Sequence, residues 1–405
     1  MGAGTVRGEH TRGVRDSRPH IGARELVPLT AMVLVLIGLL WLRTAKLVPS
    51  DAAYGLPRDH HMYAFMATHP VGSLHVAPWG WRLLGPAFAP LVPGSVTVGF
   101  QFLAVGALSL TAVVMFLVVR TVGFDRRLAI IGVVLFLSLG YAVKFNLYDF
   151  WLTDPLAFFF TALALLCVVL RLDIGFAICL AIGVLAKESV FFVVGLHYGL
   201  RARRPVDPRE ALNTLLLSLP AIAVLIGVRA AIPSWNECPS YLASLPLPIR
   251  RNARTVPSYD AVDVLRTTVE RQDWPGAVFD ALTTFGVTVS LLVVLGARAA
   301  RDLAVRLAPF LVLVLSQLLF ALNTQRLVAL AFPAVIVLAL GGLRWLRDDL
   351  HVDEGILFAL GLGTFGLGLI QPTEWMPNVL AQVALVGAVA VAALVRRRTH
   401  VPATP

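Results

Sequence analysis

The sequence predicts an all-α polytopic membrane protein, a bundle of about twelve membrane segments whose external loops form the active-site face. Three observations lead there. Hydrophobic residues make up 58% of the 405, mean hydropathy is +0.79, and several apolar runs reach the ~20 residues needed to cross a bilayer. Only 14% of residues are charged, against about 25% in a soluble domain. The apolar runs are continuous rather than alternating, which excludes a β-barrel.

The runs place segments at roughly 26–44, 96–119, 128–147, 155–171, 174–186, 189–200, 211–231, 277–297, 307–322, 327–343, 355–371 and 378–395. Residues 1–24 are polar and Arg-rich and read as a disordered cytoplasmic tail; 25–397 form the transmembrane domain, and 398–405 a second cytoplasmic tail. The first run is too long for a signal-peptide core and reads as a retained signal anchor. The net charge of +10 would suggest nucleic acid in a soluble protein. Here the basic residues sit in short connectors and tails, which sets topology instead, so no nucleic-acid partner is expected. Arg126-Arg127, Arg201 to Arg204, Arg298 to Arg306, Arg344 with Arg347, and Arg396 to Arg398 then share the cytoplasmic side with the N-terminus. The membrane is expected to be a bacterial plasma membrane. Cys167, Cys179 and Cys238 suggest neither a disulfide framework nor a zinc site.

The stretch 174–200 holds Lys187-Glu188 between two runs of about a dozen apolar residues. A single helix would place both charges at mid-bilayer, at about 2.5–3.5 kcal/mol each, and would put Arg201 to Arg204 outside. Two short segments meeting at Lys187-Glu188 keep the parity. Such half-length elements survive only where protein or a wet cavity covers them.

The outer face then collects the polar residues. The first external loop, 51–95, carries Arg58, Asp59, His60, His61, His69, His75 and Arg82 among Tyr54, Tyr63, Trp79 and Trp81. A carboxylate such as Asp59 in a water-restricted cleft can serve as general base toward a hydroxyl nucleophile; an ion pair with Arg58 or Arg82 is the plain alternative. Trp79, Trp81 and Trp375 fit an interfacial belt. In the turn Tyr148 to Pro155, Thr153 or Asp154 can cap the next helix. Asp149 has no such role, and Asp149 with Asp154 could orient a substrate or hold a divalent cation, Mg or Mn. No spacing marks a protein-bound metal otherwise. Lys187 could grip a phosphate with Glu188 holding it, or the two could neutralise each other. Arg326, on a tight turn, could snorkel or offer its two-donor fork to an oxyanion. The second long loop, 232–276, would cap the cavity.

Arg58-Asp59-His60, Trp79-x-x-Arg82, Thr153-Asp154-Pro155, Lys187-Glu188 and the late Arg326 before Phe332-Pro333 form a layout that resembles the GT-C class of integral membrane glycosyltransferases, in particular actinobacterial mannosyltransferase-like and arabinosyltransferase-like members. The resemblance covers most of the chain through weak local motifs. It implies a GT-C-like bundle and transfer of a sugar from a polyprenyl-phosphate donor to a cell-envelope glycan or glycolipid acceptor. It also implies Asp59 in the place of the first-loop catalytic aspartate, with Lys187, Arg82 and Arg326 gripping the donor phosphate. The expected site is thus Asp59, Asp149 and Asp154 as catalytic groups, with Arg58, His60, His61, Trp79, Arg82, Lys187, Glu188 and Arg326 binding substrate. The chain departs from many members in lacking a large C-terminal external domain and an adjacent acidic pair in the first loop. A transporter or lipid-linked-sugar flippase is the alternative, because broken helices and intramembrane charges mark transporters too.

Overall fold

The computed structural model describes residues 22–47, 59–254, 261–320, 324–370 and 378–399. The expected tail 1–24 therefore lies almost wholly outside the described residues, as do Arg58 and Trp375. The described chain is all helical, without a strand. Its helices are α1 (Ala23–Arg43), α2 (Asp59–Thr68), α3 (Leu84–Phe88), α4 (Val96–Thr121), α5 (Arg126–Leu137), α6 (Phe145–Tyr148), α7 (Asp154–Leu170), α8 (Asp173–Ala186), α9 (Val194–Arg201) and α10 (Pro208–Ala231). The second half has α11 (Pro239–Ser244), α12 (Leu247–Ala253), α13 (Ala261–Arg271), α14 (Trp274–Thr283), α15 (Gly286–Ala299), α16 (Arg301–Ser316), α17 (Thr324–Val328), α18 (Phe332–Asp348), α19 (Glu354–Ile370) and α20 (Val379–Thr399).

Five of these stretches are long and apolar enough to cross a membrane: α1, α4, α10, Arg301–Leu319 and Thr324–Asp348. Counting each of two bent pairs as one span brings the number to seven among the described residues, and the twelve that run length suggests are not confirmed. Two of the expected segments are bent and others are short. The expected segment 128–147 breaks after Leu137 and turns by 64°, and 277–297 breaks near Gly286 and turns by 80°. Gly286 takes φ +79°, a left-handed conformation open to glycine at little cost. The helices α7 and α8 hold 17 and 14 residues, about 25 and 21 Å at 1.5 Å per residue, short of a ~30 Å hydrocarbon core.

The core is built from α4, α5, α7 and α18, where Phe116, Phe136, Phe158 and Phe332 are almost fully enclosed. α15 lies against α18 because Gly296 and Gly342 let backbones touch. A Cβ on Gly296 would sit 1.8 Å from the Leu338 carbonyl oxygen, and one on Gly342 2.3 Å from that of Leu292, the small-residue contact typical of membrane helices.

The stretch 173–201 folds back on itself, as its charges require. Lys187 is extended, at φ −161° and ψ 136°, and ends α8. Val190 then packs against Gly183, and Arg201 returns to bond Asp173 at 2.5 Å. The hairpin tip is Lys187-Glu188, so both charges sit at one end of the bundle instead of at its middle.

Ion pairs show where the opposite end lies. Glu25 at the start of α1 meets Arg120 at 3.5 Å and Arg126 at 3.7 Å, at the end of α4 and the start of α5. Arg347 of α18 meets Asp125 at 2.5 Å, and Arg127 pairs with Glu354 of α19. The start of α1, the α4–α5 turn and the α18–α19 turn therefore gather at one end with their basic residues.

Candidate functional site

The other end holds the polar residues. The stretch expected as an open external loop is instead partly helical. Met62, Tyr63 and Met66 give α2 a buried face, and Leu74, Val76 and Trp79 pack with them. The chain after α10 seals this layer. The Trp235 N–H donates to the His75 carbonyl at 2.8 Å, the His75 N–H donates to the Tyr241 hydroxyl at 2.8 Å, and Asn236 brackets Ala77 through both its amide atoms. This segment thus lies over the first loop, and Gln272 at its far end donates to the Thr324 hydroxyl at 3.3 Å, two residues before Arg326.

Six charged side chains meet at this end of the bundle. Arg326 is the hub. Its Nη1 donates to Asp59 Oδ2 at 2.6 Å; its Nε and Nη2 donate to Asp154 Oδ2 at 3.0 and 2.6 Å. Lys187 Nζ donates to Asp154 Oδ1 at 2.6 Å. Trp79 Nε1 donates to Asp59 Oδ1 at 3.0 Å. Arg82 Nε donates to Glu188 Oε2 at 3.1 Å and its Nη1 to the Tyr63 hydroxyl at 3.1 Å. Three carboxylates thus face three cations, an arrangement that lets charges survive away from water only because each is paired and hydrogen-bonded.

Local structure delivers each group. Asp59 and Tyr63 stand four apart on α2, hence on one face. Asp154 opens α7 beside Pro155, which suits a first helical turn. Lys187 sits at the hairpin tip, and Arg326 at the helical turn of α17.

Several sequence expectations are corrected here. Lys187 and Glu188 do not neutralise each other: Lys187 goes to Asp154 and Glu188 to Arg82. Asp154 does not cap its helix; no side chain caps α7, and the carboxylate turns to Arg326 and Lys187 instead. Arg326 does not snorkel, since its side chain is 14% exposed between two carboxylates. Trp79 and Trp81 are buried rather than belt residues; Trp81 Nε1 donates to the Ile232 carbonyl at 2.9 Å. His60 and His61 are buried beside each other, ring centroids 3.9 Å apart, and His60 packs 6.3 Å from Trp151. Asp149 is buried at the end of α6, and the bonds that join Asp59, Asp154, Lys187 and Arg326 run without it. Both Asp154 oxygens are taken by cations, and no group of three or more metal-ligating side chains is found among the described residues to hold Mg or Mn. Tyr63, which accepts from Arg82 and is fully buried, is the cluster member that sequence reading passed over.

Exposure grades across the cluster. Asp154 is 1% exposed, whereas Asp59 and Glu188 are 22% and 21%. Arg326 and Arg82 also keep some exposed surface, at 14% and 12%. Burial pushes the Asp59 carboxyl up, but the charge and hydrogen bond of Arg326, with help from Arg82 and Trp79, outweigh it and hold the group below the usual carboxylate range. Asp59 is therefore ionised, and is a weak base while Arg326 holds it. Compared with known proteins, the chain matches no family model and no curated protein.

Proposed function

We propose that the protein is a membrane glycosyltransferase of GT-C type that moves a sugar from a polyprenyl-phosphate donor to a glycan or glycolipid acceptor. The reaction would take place on the extracytoplasmic face of a bacterial plasma membrane, with the N-terminus cytoplasmic. One observation carries this reading: a partly exposed carboxylate, Asp59, shares a hydrogen-bonded network with two cations, Arg326 and Lys187, while the charge of Arg82 acts on it as well. Sugar transfer from a lipid phosphate needs a base for the acceptor hydroxyl and positive charge for the departing phosphate. Asp154 is then a positioning residue that holds Arg326 and Lys187 side by side. A donor phosphate approaching Arg326 shares its positive charge. That weakens the hold on Asp59 and raises its basicity when the acceptor must be deprotonated. The described parts of the second long loop, 232–254 and 261–276, would cover the site, and the prenyl tail would lie among the helices.

The bent and broken segments are shared with transporters. The decisive experiment separates the two. Purified protein in nanodiscs is given a radiolabelled polyprenyl-phosphate sugar and cell-envelope acceptors. Label transfer to an acceptor supports the proposal. Label that crosses a liposome bilayer without bond cleavage favours transport and rejects it.

A further inference from the structure

A groove of about 950 Å³ runs along α9, from Phe191, three residues after Glu188, to Arg203 and Arg204 beyond the end of α9. Its floor is α9. Gly195 and Gly199 let α9 press onto α16, where a Cβ on Gly199 would stand 1.9 Å from the Arg306 carbonyl oxygen. One wall is α10, through Thr214, Leu215 and Ser218; the other is α16, through Val305, Pro309 and Val312. Both walls belong to segments that are apolar enough to span a membrane yet little covered by protein: 17% of the apolar stretch of α10 and 22% of that of Arg301–Leu319 is buried. The groove therefore opens where lipid surrounds the bundle.

Its mouth is different. Arg203, Arg204, Arg301 and Arg306 line it, and Asp302 is the one acid among the lining residues. Arg203, Arg204, Arg301 and Asp302 are exposed. The end is fixed by Arg201 bonding Asp173 and by Arg306 Nη1 donating to the Leu200 carbonyl at 3.3 Å, which ties the end of α9 to the starts of α8 and α16. An apolar trough ending in clustered guanidinium groups matches one kind of molecule: a chain of hydrocarbon with an anionic phosphate at its end. Basic pockets between helices at the positively charged membrane side take anionic headgroups by this complementarity.

We propose that this groove is a binding site for an anionic phospholipid, its acyl chain along α9 between α10 and α16 and its phosphate among Arg203, Arg204, Arg301 and Arg306. The groove shares no lining residue with the polar cluster, and the proposal stands whether or not sugar transfer is the protein's activity.

The test is native mass spectrometry of the full chain, exchanged into a neutral detergent with equal amounts of phosphatidylglycerol and phosphatidylcholine. The expected result is retention of phosphatidylglycerol over phosphatidylcholine by about tenfold. An R203Q/R204Q/R301Q variant should lose that preference, and Val312→Trp should lower retention of both lipids by filling the trough. The thermal midpoint of each variant without lipid shows that it is folded. Equal retention of the two lipids by wild-type protein overturns the proposal. So does a preference unchanged in the arginine variant. Glycerol phosphate competing as well as the intact lipid would reveal a free-anion site, and a dimer that forms only without lipid would reveal a second copy in the groove; either outcome also overturns it.

Discussion

At one end of the bundle Arg326 joins Asp59 and Asp154 with its side chain 14% exposed; at the other Arg127 joins Glu354 with its side chain 77% exposed. Both are arginine–carboxylate pairs, yet they have different physical consequences. The exposed pair exchanges water for a partner at little net gain and is screened by salt. Its main consequence is topological, since arginines outside the apolar runs hold their connectors on one side. The buried network removes six charges from water, and apolar residues of the same volume would often give equal or better stability. A chain that keeps such a buried network at one end of its bundle points to function there. The comparison thus sorts the arginines of this protein by role, which a count of charges cannot do.

The largest expected effect is at the hub. Arg326→Met leaves Asp59 and Asp154 without their main counter-charge and should destabilise the fold by about 3–5 kcal/mol, read as a large fall in the thermal midpoint in detergent. An unchanged midpoint would show that the cluster does not hold this end together. A smaller effect follows from acid. The Asp59 carboxyl titrates below its ordinary value of about 3.9. Its contribution is thus complete above that pH and is lost as pH falls through the lower folded value. Thermal midpoints scanned downward in pH should fall less steeply for Asp59→Asn than for wild type, and parallel curves would break the assignment. The smallest effect belongs to the exposed end. Arg127→Ala should cost about 0–1 kcal/mol, shrinking further in high salt. A loss as large as that of Arg326→Met would erase the contrast between the two ends.

Much of the cluster was legible in the sequence because ionisable residues stand out against apolar surroundings: Asp59, Arg82, Lys187 and Arg326 all drew attention by that contrast. The break at Lys187-Glu188 followed from parity, because one continuous helix would have moved Arg201 across the membrane. The pairing was not legible. Arg326 bonds Asp59 from 267 residues away, and Lys187 chose Asp154, 33 residues back, over its neighbour Glu188. Partners at such distances are set by packing, not by local spacing. Tyr63 was passed over because the stretch read as loop; only as a helix does position 63 fall beneath Asp59. The count of twelve is not confirmed: seven expected segments match long or bent apolar stretches, and the other five fall on α7, α8, α9, α19 and α20, which do not pass as full-length spans.

The most direct test is sugar transfer by Asp59→Asn, a change of one atom that leaves Arg326 its bonds to Asp154. The expected result is a protein that folds and purifies like wild type but transfers sugar about 10²–10⁴-fold more slowly. Transfer at the wild-type rate by the folded variant would contradict the role given to Asp59.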